Sequence, residues 1–149
     1  MLLLSACGRG VIYEDNHDIA NSNFLRFTPE NYEVSVKNID DCYDIYVSIT
    51  VDTAVFQGNS IPLIVNVHSP NDDSRMFRNT VSLRDKQGNW KGSLDGSKLT
   101  SVQLVRHYYF FNVKGKHRVE VGQATHKYDL YGVDAVGLKI MKADLVYPD

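Results

Sequence analysis

The chain lacks the features that define several large classes of protein. Its 149 residues contain no apolar run close to the ~20 residues that a membrane-spanning helix needs. The formal net charge is only −2, and lysine and arginine form no basic stripe. This balance excludes the usual nucleic-acid-binding proteins, so we expect no nucleic-acid partner. At this length one domain is expected.

Motifs for catalysis and cofactor binding are also missing. There is neither a Gly-x-Ser-x-Gly elbow nor a phosphate-binding loop. The five histidines have no short metal-ligand spacing, so we expect them on the surface or on strand edges. Asp72-Asp73 and the acidic residues of 40–44 lack the regular ligand spacing of a calcium loop. We therefore predict that the chain is not an enzyme and binds neither a cofactor nor a metal ion.

Cysteine is scarce, and the first of the two cysteines carries a clear signal. Leu4-Ser5-Ala6-Cys7 resembles a lipobox, in which small residues precede the cysteine that receives the lipid. Residues 1–6 are then a truncated signal remnant, because only Met1 to Leu4 stand before Ser5-Ala6-Cys7, where a full signal has a basic segment and ~7–15 apolar residues. The prediction is that Cys7 is the lipidated first residue of the mature protein and attaches it to a membrane.

The second cysteine, Cys42, has no partner if Cys7 carries a lipid, so no internal disulfide is expected. Its neighbouring carboxylates would raise the pKa of the thiol, which argues against a nucleophile and favours a buried structural residue. Residues 7–23 are polar apart from 11–13, and we interpret them as the lipidated cysteine and a tether that docks on the domain. The domain itself is predicted to span residues 24–149.

Alternating apolar residues characterise that domain. One strand is predicted within 44–51 and another within 61–67, where every second residue is apolar. Pro62 fits a strand beginning or an edge, and Val81 and Leu83 share one face of a third strand. No segment has a sustained helical period, and β-branched and aromatic residues occupy the apolar positions. The pattern predicts an all-β fold, an antiparallel β-sandwich of about seven to eight strands.

A hairpin is predicted around Gly115, with its register open. If Lys114-Gly115 form a two-residue loop, Phe110 faces Val119. If Val113-Lys114 form the turn and Gly115 is a left-handed bulge, Tyr109 faces Val119 instead, and this version is slightly favoured because glycine tolerates positive φ. Both versions place Val119 and Val121 in the core.

Aromatic residues supply the candidate interaction surface. Residues 108–111 are all aromatic, so a strand there presents rings on both faces. One face belongs to the core and the other is available to a partner or a glycan. Trp90, which follows a turn, either packs over a hairpin end or stacks on a sugar. The candidate surface comprises Trp90, Tyr109 and Phe111.

Several segments together resemble the GldH gliding-motility lipoproteins of the Bacteroidetes. After the lipobox and residues 11–14, the resemblance runs through 43–49 and 59–63 and is strongest at Gln87-Gly88-Asn89-Trp90-Lys91-Gly92. It continues at Phe111, Gly115 and Gln123-Ala124 and closes on 130–140. The sequence departs from the family at Thr53-Ala54-Val55-Phe56, at Phe24 and after Gln123-Ala124.

The resemblance implies a membrane lipoprotein in the context of gliding motility and type IX secretion. We therefore predict a non-catalytic accessory component of that envelope machinery, lipid-anchored through Cys7 and facing the periplasm, with envelope proteins as partners. The alternative is an envelope lipoprotein whose β-sandwich binds a glycan.

Overall fold

A computed structural model describes residues 10–144, which form two antiparallel sheets. Cys7, the signal remnant and the last five residues lie outside the described part. The nine strands are β1 (Val11–Asp18), β2 (Glu30–Val36), β3 (Tyr43–Asp52), β4 (Ser60–His68), β5 (Ser74–Ser82), β6 (Ser93–Asp95), β7 (Lys98–Tyr109), β8 (Gly115–Gln123) and β9 (Val133–Lys142). A single 3₁₀ turn, Ala20–Ser22, follows β1.

The strand order is that of a jelly roll. One sheet has five strands in the order β1-β9-β3-β7-β6, and the other has four in the order β2-β8-β4-β5. The chain changes sheets at most connections, and only the β4–β5 and β6–β7 connections join neighbouring strands. The predicted all-β antiparallel sandwich is confirmed, with nine strands where about seven to eight were expected.

The two sheets pack through inner faces made of alternating apolar residues. On β3 and β4 the predicted inward residues are fully buried, as are Val81 and Leu83. Tyr32 crosses between the sheets, where its hydroxyl donates to the backbone oxygen of Val136 at 2.5 Å. Burial raises the pKa of the Tyr32 phenol well above its usual range, so this hydroxyl remains a donor.

The predicted hairpin around Gly115 is wrong. β7 pairs with β3 and β6, whereas β8 pairs with β2 and β4, so residues 110–114 carry the chain from one sheet to the other. Neither proposed register exists, although Val119 and Val121 are buried as both versions required. Two successive strands joined by a glycine-containing loop have the same sequence pattern whether they pair as a hairpin or lie in different sheets. The alternation of apolar residues indicates only which face of each strand is buried.

The segment interpreted as a tether is itself part of the sheet. Residues Val11–Asp18 form β1, which pairs antiparallel with β9 from Val11↔Met141 to Asp18↔Ala135. The folded domain therefore begins by residue 11 and not at residue 24. An edge strand needs only one apolar face, and the polar residues of β1 face solvent, which is why the segment looks like a linker.

The sandwich has two ends, which we name after residues that mark them. At the Gly10 end, β1 and β3 begin and β9 finishes; the amide of Lys142 donates to the Gly10 oxygen at 2.7 Å. At the Tyr131 end, Asn23 forms a bridge with Tyr131, and the amide of Asp52 donates to the Gly132 oxygen at 2.8 Å.

Candidate functional site

A groove lies on the outer face of the five-stranded sheet. Its volume is about 540 Å³. It crosses β1, β9, β3 and β7, and most of its lining residues alternate with the core positions of those strands, while Leu138 is itself a core residue. The lining residues are Glu14, Asp15, Asn16, Tyr46, Ser48, Thr50, Thr100, Val102, Gly137, Leu138, Lys139 and Met141.

The floor of the groove is formed around Gly137. This glycine is the cross-strand neighbour of Asn16 on one side and of Ser48 on the other. A Cβ atom at position 137 would lie 2.9 Å from Asn16 Oδ1 and still closer to Ser48 Oγ. The two polar side chains therefore close over the glycine, and any larger residue would displace them from the floor.

Hydroxyl groups and apolar side chains share the walls of the groove. Thr50 and Thr100 join β3 to β7 through a hydrogen bond of 2.8 Å between their hydroxyls. Beside them Val102 is 62% exposed, and Leu104, the cross-strand partner of Tyr46, is 36% exposed. Apolar surface rimmed by hydrogen-bonding groups is typical of an interaction site.

Charge enters the groove at the β1 edge. Glu14 on β1 is the cross-strand neighbour of Lys139 on β9, so opposite charges lie side by side there. The lining otherwise offers a second carboxylate, Asp15, together with hydroxyls, an amide, a phenol and apolar groups. Such a surface can hydrogen-bond and contact an extended ligand.

A second concavity lies at the Tyr131 end. It has a volume of about 580 Å³ and is lined by Val55, Gln57 and residues 127–131. Tyr128 and Tyr131 are more than half exposed there, and the Phe27 ring lies 6.0 Å from that of Tyr128. This aromatic pocket lies in the loops after β1, β3 and β8.

An ion-pair cluster braces the same end of the sheet. The Lys98 ammonium contacts Asp134 and lies 3.3 Å from the Asp52 carboxylate, so β7, β9 and β3 are tied together. The hydrogen bond to Asp134 raises the pKa of Lys98, and the hydrogen bond from the backbone N–H of Ala54 lowers the pKa of Asp52. These shifts have structural causes and need no ligand.

The predicted interaction surface of Trp90, Tyr109 and Phe111 is wrong as a surface. Tyr109 is 4% exposed and Phe111 is 2% exposed, and their rings pack at 4.9 Å within the core. Trp90 is half-buried, with the Arg84 guanidinium 3.6 Å from its ring centroid. The alternate residues Tyr108 and Phe110 are the exposed ones, so the aromatic run has a buried and an exposed side, although β7 ends at Tyr109.

Histidine placement differs from the expectation at one position. His117 is fully buried against Phe111, and its Nε2 has no hydrogen-bond partner among the described residues. Burial lowers the pKa of His117. Between residues 10 and 144, no three His, Cys, Asp or Glu side chains are grouped to hold a metal ion. Cys42 is buried, as predicted, with its Sγ 3.9 Å from the Ala143 oxygen.

The groove was not predicted from the sequence. Its signal is the polar half of the β3 alternation, Tyr46-x-Ser48-x-Thr50, which carries hydroxyls where surface strands commonly carry charge. That alternation by itself indicates only which side of β3 faces the core. The partner strands that complete the groove are distant in sequence, so their contribution could not be read from one strand.

The fold and the groove define a class, a jelly-roll domain with one open, weakly charged sheet face. The profile of the GldH lipoprotein family matches residues 11–140. The chain therefore belongs to the GldH lipoproteins, and this confirms the resemblance. Membership makes it a gliding-motility-related lipoprotein, anchored in the cell envelope through a lipid. None of the helices described between residues 10 and 144 has the length and apolar character to cross a membrane.

Solved structures with a similar fold come from unrelated proteins. Eiger TNF from S. frugiperda matches with a TM-score of 0.50 and 13% identity, over 95% of this chain and 98% of that chain. A fructofuranosidase from Schwanniomyces occidentalis matches with a TM-score of 0.43 and 10% identity, over 87% of this chain and 33% of that one. The first supports the jelly-roll fold, and neither bears on function at this identity. No curated protein matches the sequence.

Proposed function

We propose that the protein is a non-catalytic accessory component of the gliding or type IX secretion-associated envelope machinery, tethered on the periplasmic side. In this proposal the groove on the five-stranded sheet binds a protein partner of the envelope. The observation that supports this proposal best is the exposure of Val102. Its side chain is 62% exposed beside the hydroxyl groups of the groove, on a sheet face that packs against nothing else in the described chain.

The chemistry of the groove suits a polypeptide partner. Its hydroxyls and the Asn16 amide can bond backbone N–H and C=O groups of an extended segment, while Val102 and Tyr46 offer apolar contact. Neither histidine nor cysteine lines it. These features favour binding over bond-making chemistry.

A replacement of Val102 tests the proposal in the source bacterium. Val102→Glu places a charge in the groove without touching the core, so gliding or cargo secretion should fall by about tenfold or more. The matched control is Met76→Glu, because Met76 is 54% exposed on the outer face of the other sheet.

Both variants must reach the membrane fraction at the parental level. Each variant is expressed in a strain from which the gene is deleted. If the strain with Val102→Glu glides and secretes as well as the strain with the unaltered gene, the groove is not the binding surface. If deletion of the gene leaves gliding, secretion and envelope integrity normal, the accessory function itself fails.

Glycan binding is a second candidate, and the aromatic pocket at the Tyr131 end favours it. Tyr128 and Tyr131 present exposed rings beside Gln57, Lys127 and Asp129, a combination that suits stacking and hydrogen bonding to a sugar. Calorimetry with peptidoglycan fragments and envelope oligosaccharides should detect heat that Tyr128→Ala and Tyr131→Ala abolish. Absence of binding, or binding that both variants retain, removes this candidate.

A further inference from the structure

The short distance between the predicted lipidation site and the fold limits how the domain can sit on a membrane. Cys7 is three residues before Gly10 in the sequence. Each trans peptide bond separates consecutive Cα atoms by 3.8 Å, so the Cα atoms of these residues can be at most about 11 Å apart. That limit holds for every conformation of the connecting residues.

Gly10 is held at one end of the sandwich. Its carbonyl oxygen accepts the amide of Lys142 at 2.7 Å, and Val11 directly after it pairs with Met141 on β9. A lipid on Cys7 therefore pulls on the rigid sheet itself. The ten residues of β3 span roughly 33 Å at ~3.3 Å per residue, so the opposite end is far from the anchor.

The surface around Gly10 carries groups that suit a lipid–water interface. Tyr108 is 39% exposed and Phe110 is 45% exposed, both beside the connection that leaves β7. The Tyr108 hydroxyl donates to the Asp144 oxygen at 3.4 Å, which places this ring next to the end of β9. Aromatic rings are favoured at the level of lipid headgroups.

Exposed basic residues lie at the same end of the sandwich and can reach lipid phosphates. Long lysine side chains extend towards an interface while their stems remain on apolar surface. Acidic residues such as Asp40, Asp72 and Asp144 lie at the same end, so the tether, and not net charge, sets the orientation. The exposed lysines of this end are Lys37, Lys114, Lys116 and Lys142.

We propose that the Gly10 end of the sandwich lies directly against a phospholipid surface, with Tyr108 and Phe110 among the headgroups. The Tyr131 end and its aromatic pocket are then held roughly 30 Å from the membrane, and the groove opens sideways along it. This inference rests on the proposed anchoring through Cys7.

The single tryptophan of the chain provides a native reporter for the test. Trp90 pairs with Arg84 in the loop after β5, at the Tyr131 end. The lipidated full chain is reconstituted in phosphatidylcholine–phosphatidylglycerol vesicles containing a lipid with a headgroup nitroxide. A second reporter is the double variant Phe110→Trp with Trp90→Phe, whose only tryptophan is at position 110. If it folds poorly, the double variant Lys114→Trp with Trp90→Phe replaces it.

The emission of a tryptophan at position 110 or 114 should be about threefold lower in vesicles with the nitroxide lipid than in vesicles without it, because this side chain lies in the interface. Emission from Trp90 should remain nearly unchanged. Inserting about 20 Gly/Ser residues between Gly8 and Arg9, with an end-to-end distance of roughly 25 Å, should weaken the quenching while the protein still floats with the vesicles.

Flotation separates the two possible failures. If the chain does not float, or floats equally well as Cys7→Ala, the anchoring proposal fails, and the orientation fails with it. If the lipidated chain floats but Trp90 is quenched as strongly as the tryptophan at 110 or 114, or none is quenched, only the orientation is overturned.

Discussion

The two sheets have similar inner faces and very different outer faces. The outer face of the four-stranded sheet is laced with charged pairs: Lys116 lies 3.2 Å from Glu33, and Arg118 lies 3.1 Å from Glu120. On the five-stranded sheet the charged pairs join Lys98 to Asp52 and Asp134 and His107 to Asp44, near the two ends of the strands, and the contact between them is the hydroxyl pair of Thr50 and Thr100. Charged pairs therefore occur on both faces, but in the described part of the chain only the groove of the five-stranded sheet leaves aliphatic surface exposed beside hydroxyls, at Val102 and Leu104.

This difference shows that burial alone does not locate a binding surface in a sandwich. Both outer faces are solvent-exposed, and both sheets contribute equally buried residues to the core. The distinguishing property is what the middle of each outer face carries, charged pairs on one sheet and hydroxyls beside exposed aliphatic groups on the other. Self-paired charges behave as an ordinary solvated surface, while an unpaired apolar patch implies a partner.

The largest loss of stability is expected from replacements on the inner faces, where the two sheets are alike. Ile49→Ala on β3 and Ile61→Ala on β4 each empty a fully buried position, so each should lower the free energy of unfolding by about 3–4 kcal/mol. Urea denaturation of residues 7–149 measures both. A loss below about 1 kcal/mol for only one of them would show that the sheets do not share one core.

The second prediction compares the stability effect of a glycine-to-alanine replacement on each outer face. Gly137→Ala forces a methyl group against Asn16 and Ser48 and should cost about 1–2 kcal/mol, since short polar side chains can partly rotate away. Gly122→Ala on the other face meets only Pro29 Cβ at 3.5 Å and should change stability by less than about 0.5 kcal/mol. Equal changes for the two glycines would contradict the closed groove floor.

A third prediction concerns the polar residue within the otherwise apolar core. Because burial lowers the pKa of His117 in the folded protein, the unfolded chain binds its proton more readily. This contribution to stability is complete above the unfolded pKa of about 6.5 and is lost as the pH falls through and below it. His117→Leu should therefore flatten the decline in unfolding free energy between about pH 7.5 and pH 5.

The exposed His126→Gln is the matched control for that measurement, and it should retain the slope of the parent. Unfolding curves across the pH range, for parent and both variants, give the comparison. An unchanged slope in His117→Leu would mean that another group dominates the acid response.

The smallest effect is expected on the four-stranded outer face. Lys116 and Glu33 form an ion pair with side chains 76% and 63% exposed, so water and salt screen it. Lys116→Ala should change the free energy of unfolding by less than about 0.5 kcal/mol. A change above about 1 kcal/mol would show that this face contributes more to stability than a solvated surface does.

The sequence by itself determined the fold class, most of the strands and many of the side chains that form the core. Alternation in β3 and β4 was sufficient, because apolar residues at every second position have one stable arrangement against a second sheet. The buried position of Cys42 was also predicted correctly. The family followed from the order of short motifs along the chain.

Tertiary structure alone decided which strands pair and what the outer faces carry. β7 and β8 belong to different sheets, and no local pattern distinguishes that crossing from a hairpin. The crossing buries Tyr109, Phe111 and His117 and exposes Tyr108 and Phe110. The groove joins residues of β1, β3, β7 and β9 as far apart in sequence as Glu14 and Met141, so only the strand order brings them together.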